Sequence, residues 1–397
     1  MELKIDADKW HRKRGIGRLL TALGAKEGLT RYVGGAVRDE LLGIPHSDFD
    51  LATMLRPEDV IQRLEAAKIR AVPTGIEHGT ITAVSSGHPF EITSLRRDVS
   101  TDGRRATVAF TDDWQEDAAR RDFTINAFSA DPQTGEVYDY FGGKEDLLAR
   151  RVRFIGDPLE RIAEDHLRIL RFFRFHARFG QGEPDCDALR ACSERANDLM
   201  ALSRERIADE ILKLLSVEDP SPTVSIMLDR GILRPVLPEI EATHLSRLQD
   251  LVASESEARV HADPLRRLAS LLPREPALAE RVAARLKLSN KSRKRLACAA
   301  EPALPESAQQ LAYFVGTDCA VDRLLLAGKP RLVASVRKWQ APRLPISGGA
   351  LIERGLTQGP EVARTLQAIE RRWVEAGFPE GEDFDRIVAE MLAAARP

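Results

Sequence analysis

The spacing of apolar residues changes once along this chain, and that change limits the folds open to it. From Leu19 to about Phe141, runs such as Gly79 to Val84 and Phe90 to Leu95 alternate every second residue, as half-buried strands do, among helical stretches. Beyond Asp157 and Pro158 the strand signals nearly vanish. Apolar residues from Leu159 to Phe179 and from Arg204 to Leu215 recur at helical spacing instead. The expected class is therefore α+β, a small mixed sheet with helices followed by an all-helical remainder. At 397 residues the chain exceeds one ordinary domain. Pro and Gly near Pro302 to Pro305 and Pro342 to Gly349 mark sharp connections within the helical part, and no internal repeat is found.

Several classes of protein are excluded at this stage. No run approaches the roughly 18 apolar residues of a membrane span, so no membrane partner is expected. The segment Met1 to Arg14 lacks the apolar core of a secretory signal, and a cytoplasmic location is expected. A net charge of −2 argues against a surface coated in basic charge, so any nucleic-acid surface must be local. The four cysteines show no paired spacing, and reduced thiols without zinc are expected.

Chemistry concentrates in three strings. The first is Val33 to Asp39, with Gly34 and Gly35 adjacent and Arg38 following, then Asp48 and Asp50 after a short loop. Adjacent glycines allow a tight turn whose N–H groups approach a triphosphate, and Arg38 is placed to bind a phosphate oxygen. In a strand, Asp48 and Asp50 project to one side and offer two hard oxygen ligands to a divalent metal, Mg²⁺. A lone glycine pair is most often a turn and a lone pair of aspartates a solvated loop; their order and spacing together are what carry weight.

The second string is Arg120 to Ala127. Arg121 and Asn126 are suited to phosphate oxygens and Asp122 to a ribose hydroxyl, although an N-capped helix start explains Asp122 equally well. The third runs from Glu164 through Asp165, Arg168, Arg171, Arg174 and Arg178. Asp165 and Arg168 stand three apart, so on one helix they share a face, and a solvated ion pair is the plain alternative to a functional one.

The first string resembles the signature of the DNA polymerase beta nucleotidyltransferase superfamily, and the resemblance supplies Glu91 as a third catalytic carboxylate beside Asp48 and Asp50. Arg120 to Ala127 resembles motif B of the class II tRNA nucleotidyltransferases, the CCA-adding enzymes, and of bacterial poly(A) polymerases, in which the Asp recognises ribose. Glu164 to Arg168 is similar to their EDxxR motif, in which protein side chains replace a template. A carboxylate accepts from the amino group that cytosine and adenine both carry, and a guanidinium donates to the neighbouring ring nitrogen. Guanine and uracil present a carbonyl there and are rejected. By this resemblance Asp165 and Arg168 select CTP and ATP; the nearby Arg171, Arg174 and Arg178 are placed to support the nucleotide or contact phosphate, with simple cover of the helix surface as the plain alternative.

The likeness also implies a nucleotidyltransferase head over 1–148, a helical neck over 149–240 and a tail over 342–397; the segment between, 241–341, reads as a helical body from periodicity alone, and body and tail are expected to hold tRNA, with no DNA partner. The stretch from Tyr138 to Leu147 looks like the family's hinge. No GRRFxLxH string of poly(A) polymerases follows the third strand, and Arg96 to Trp114 is long, polar and glycine-containing, like the flexible loop that CC-adding enzymes lack. Full CCA addition is thus expected over partial addition. No His is followed by Asp, so no HD phosphohydrolase is expected. A catalytically inactive RNA-binding protein and a small-molecule nucleotidyltransferase are the readings of other kinds.

Overall fold

The computed structural model describes residues 3–45, 49–102 and 105–395, with backbone alone for 98–102 and 105–108. The chain divides into two compact units, Met1–Val236 and Leu237–Pro397. The first carries all the sheet structure and the second is helical, which is the expected α+β class.

In the first unit a seven-stranded sheet has the order β3-β4-β5-β2-β1-β8-β9. Its strands are β1 (Thr30–Val33), β2 (Asp50–Thr53), β3 (Arg70–Gly75), β4 (Thr80–Ser85), β5 (His88–Ser94), β8 (Ser129–Ala130) and β9 (Val137–Tyr138). All neighbours run antiparallel except β2 and β5, which are parallel and pair Asp50 with Glu91. Alternation along β5 buries Phe90 and Ile92 on the face covered by helices Ile16–Ala22 and Pro57–Ala66, which leaves Glu91 and Thr93 on the other. That second face becomes the floor of the site.

The segment expected as a flexible loop, Arg96 to Trp114, is instead mostly a two-stranded antiparallel ribbon of β6 (Arg96–Asp102) and β7 (Arg105–Phe110). Its Val and Thr residues favour extended backbone, a preference outweighed in the sequence reading by polarity. Helices α1 (Gly35–Leu41), α2 (Trp114–Ala119), α3 (Pro158–Glu164), α4 (Arg168–Phe179) and α5 (Arg204–Leu215) frame the site.

Two apolar clusters stand out among the described residues of the second unit. One gathers Leu251, Leu311, Leu324 and Val336, the other Leu351, Ile369, Trp373 and Val388, on either side of the Pro-rich connection near residue 342. The expectation of four reduced thiols fails here. Cys298 and Cys319 are disulfide-bonded across helices Asn290–Ala299 and Thr317–Leu326, whose packing brings Cα atoms 21 residues apart to 6.3 Å. Sequence spacing gives no hint of that approach. Cys186 and Cys192 are free thiols.

A buried ion network joins the helices of this unit. Asp322, fully buried, accepts from Arg266 Nε at 2.9 Å and from Arg295 Nε at 2.7 Å, while Glu255 accepts from Arg266 Nη1 at 2.6 Å and Arg267 Nε at 2.9 Å. Removing one member strands buried charge. Asp322→Ala is expected to destabilise this unit by about 3–5 kcal/mol, read as a shift of its denaturant midpoint; an unchanged midpoint would show the network to be energetically idle.

Candidate active site

A cavity of about 560 Å³ opens over the second face of the sheet, and residues from all three strings line it. Its floor is Asp50 and Glu91, paired in register on neighbouring strands. Burial first, then the nearby Asp50 charge, raises the Glu91 carboxyl above its usual range. Two acids facing one cavity in this way suit a divalent cation, which relieves both effects. Among the described residues no group of three or more His, Cys, Asp and Glu gathers as a metal site. Asp48 lies outside the described residues, so the floor is seen with two of its three expected carboxylates.

Gly34 and Gly35 form one wall. Gly34 has φ 74° and ψ −136°, a conformation essentially reserved for glycine, and a Cβ there would stand 3.0 Å from Arg121 Nη1. The turn thereby lets the Arg121 guanidinium lie against bare backbone. Arg38 lines the cavity but is only 4% exposed. Its Nε donates to Asp39 Oδ1 at 2.8 Å, its Nη1 donates to Asn126 Oδ1, and its plane lies 4.0 Å over the Phe179 ring. Burial outweighs the Asp39 charge and lowers its pKa. The structure thus uses Arg38 chiefly to brace α1 against the second string.

Asp122 is the centre of that string. Oδ1 accepts from Phe123 N at 2.9 Å and Asn126 Nδ2 at 3.0 Å, and Oδ2 accepts from both Nε and Nη2 of Arg171, the former at 2.7 Å. A carboxylate has about four lone-pair positions, so its acceptors are filled, and a ribose hydroxyl would have to displace one donor. Burial alone would raise this carboxyl; Arg171, Asn126 and the Phe123 N–H together hold it below the usual range. Arg171 then lies 3.7 Å from Glu210 of α5, which accepts Arg174 Nε at 2.5 Å. A continuous chain therefore runs Asp39, Arg38, Asn126, Asp122, Arg171, Glu210, Arg174, from α1 through the second string to α4 and α5. Phe123 packs on Phe154, Phe172 and Phe175, which docks this string onto α4. Beside the chain, Arg178 donates to Asp39 Oδ2 at 3.3 Å.

The expectation that Asp165 and Arg168 share one helix is corrected. Helix α3 ends at Glu164, Asp165 adopts extended backbone (φ −152°, ψ 106°), and α4 begins at Arg168. The Asp165 side chain competes with helical continuation by accepting Leu167 N at 3.1 Å. Nor do their side chains pair with one another. Asp165 Oδ2 accepts Arg206 Nη2 at 2.7 Å, whereas Arg168 Nη1 donates to Arg161 O at 2.8 Å and to Glu164. Both still line the same cavity.

The curated mouse protein named mitochondrial CCA tRNA nucleotidyltransferase 1 is 35% identical over 386 residues, covering 92% of this chain and 87% of its own. The chain belongs to the CCA tRNA nucleotidyltransferase family. A CCA-adding enzyme of Streptococcus gordonii is 32% identical over 375 residues, covering 90% of this chain and 92% of its own. The family model described as the poly A polymerase head domain matches residues 30–153, and one described as a probable RNA and SrmB-binding site of polymerase A matches 184–243. The fold agrees: the crystal structure of the Bacillus stearothermophilus CCA-adding enzyme in complex with CTP superposes with a TM-score of 0.76 at 26% identity, covering 96% of this chain and 97% of that one. No helix among the described residues is long and apolar enough to cross a membrane.

Within this family member, sequence reasoning missed Arg96, Asp117 and Arg206 as cavity residues. Asp117, buried, accepts Arg96 N at 3.3 Å, Arg120 Nε at 2.9 Å and Arg121 Nη2 at 3.4 Å. Burial pushes its carboxyl up, but Arg120 and Arg121 outweigh this and hold it low. The base of the ribbon and the cavity arginines thus share one anion. A signal existed in the sequence, since Asp117 stands three and four residues before Arg120 and Arg121.

Proposed function

We propose that this chain adds CCA to the 3′ end of tRNA without a template, using CTP and ATP and releasing pyrophosphate. The observation that carries the reading is one cavity in which an acidic pair, a glycine turn, an arginine cluster and Asp165 with Arg168 face each other, in a chain of the CCA family.

Asp48, Asp50 and Glu91 would hold two Mg²⁺ ions, which when bound supply Lewis-acid activation of the tRNA 3′-hydroxyl and neutralise charge on the leaving pyrophosphate. Gly34 and Gly35 offer backbone to the triphosphate, and Arg121, Asn126 and Arg174 supply the polar wall around it. Arg38 and Asp122 act through the residues they hold, Asp122 fixing Arg171 where ribose and phosphate would lie. Asp165 accepts from the exocyclic amino group of cytosine or adenine and Arg168 donates to the adjacent ring nitrogen. The helices of the second unit hold the acceptor arm through shape and phosphate contacts, because A-form RNA exposes little sequence in its accessible groove.

The base-reading step is tested by competing the four nucleoside triphosphates. The unaltered protein should take CTP and ATP, and Asp165→Ala should lower that preference by about tenfold or more. Unselective incorporation by the unaltered protein, or an unchanged preference in Asp165→Ala, would refute side-chain reading of the base.

A further inference from the structure

The Asp165 carboxylate is held from two directions. Oδ1 takes the Leu167 N–H within its own turn, and Oδ2 takes Arg206 Nη2 at 2.7 Å from a residue 41 positions away on α5. The guanidinium of Arg168, the other member of the base-reading pair, donates to Arg161 O and Glu164 and gives the Asp165 carboxylate no hydrogen bond; Arg168 meets Asp165 only through its backbone N–H, which donates to Asp165 O at 3.0 Å. One turn along α5 from Arg206, Glu210 accepts Arg174 and approaches Arg171. Residues four apart share a helix face. Helix α5 therefore presents a cation to the acid between α3 and α4 and an anion to the arginines of α4. That order of charge fixes its placement, since any shift that set Arg206 against Arg174 would oppose like charges.

We infer that Arg206 is a specificity-determining positioning residue, which orients the Asp165 carboxylate toward the base of the incoming nucleotide. The inference rests on the reading of Asp165 given under the proposed function. A carboxylate oxygen has two lone pairs. With Leu167 N–H taking one on Oδ1 and Arg206 one on Oδ2, one remains on each for the cavity. A carboxylate fixed in this way favours an amino group and opposes a carbonyl in the same place. Released from Arg206, it rotates, makes a weaker bond to the amino group and turns away from the carbonyl. Discrimination falls from both sides at once. Arg206 lines the cavity and its side chain is 32% exposed, so its removal strands no buried charge of its own.

The experiment measures kcat/KM for the first addition to tRNA ending at the discriminator base, with CTP and with UTP, which differ at the amino group and the carbonyl. Arg206→Ala should lower the CTP-over-UTP ratio about tenfold, and Arg206→Lys should restore part of it. Lys213→Ala, on the same helix and paired at the surface with Asp209, should leave the ratio as it was. A folded Arg206→Ala protein with an unchanged ratio, whatever its rate, overturns the inference, because loss of packing or of charge alone lowers both nucleotides together. Should Arg206→Ala fail to fold, Arg206→Gln is read by the same criterion. Asp165→Ala separates the two levels. If it too keeps the ratio, base reading by Asp165 is wrong; if it loses the ratio while Arg206→Ala keeps it, only the role of Arg206 is wrong.

Discussion

Asp50→Asn is expected to lower nucleotide incorporation about a thousandfold while leaving the protein folded. The amide keeps the size and polarity of the side chain at the start of β2, so the pairings of Asp50 with Val33 and Glu91 in the sheet survive. What is lost is one negative charge on the cavity floor. If that charge holds a cation that stabilises the transition state by about 4 kcal/mol, its loss slows transfer by about three orders of magnitude. Stability should move the other way or not at all, because Asp50 is one of the causes that raise the Glu91 carboxyl and its neutralisation relieves a repulsion. A purely structural aspartate would show the reverse, a lower melting temperature with activity per folded molecule intact. Single-turnover incorporation together with a thermal melt distinguishes them, and near-normal rates in the folded variant would remove Asp50 from the chemistry.

Asp122→Asn is expected to lower both activity and stability. Each oxygen of Asp122 faces donors, Phe123 N and Asn126 Nδ2 on one side and the Arg171 guanidinium on the other. Whichever way the amide turns, its NH₂ meets another donor, and a buried donor is left unpaired. The cost is about 1–3 kcal/mol for that group, and more where the partner is charged. Because Asp122 lies mid-way in the chain from Asp39 to Arg174, Arg171 is set loose over the cavity, and kcat/KM should fall about a hundredfold. The pH dependence adds a second check. The native state holds Asp122 and Asp117 below the unfolded carboxylate value of about 4, so their stabilisation is fully present above that value and is lost as the pH falls through the lower, folded value. Asp122→Asn should therefore lose less stability on acidification than the unaltered protein. Equal acid sensitivity, or full activity, would mean that the chain of ion pairs does not organise the site.

Much of this site is legible from residue type and spacing because it depends on local rules. Alternation every two residues places Glu91 opposite Phe90 and Ile92, and a glycine pair signals backbone that a side chain would obstruct. The reading fails where a distant partner decides. Glu164 to Arg171 reads as continuous helix, yet Asp165 bonds Leu167 N and ends one helix before the next begins; the only local clue is an aspartate's tendency to bond backbone two residues on. Asp122 looks available for ribose until Arg171 is seen to fill its second oxygen from 49 residues away. Arg206 and Glu210 belong to a helix predicted with the right bounds, but only its packing on α4 reveals which face meets the cavity. The Cys298–Cys319 bond is hidden for the same reason, since it depends on which helices the fold brings together, whereas the hairpin of β6 and β7 is local and is masked by the polarity of its residues.

The most direct test supplies purified protein, Mg²⁺, labelled CTP and ATP, and tRNA ending at the discriminator base, and sequences the extended ends. The account predicts products lengthened by CCA and no further. Untouched tRNA, or long tracts of adenylate, would contradict it.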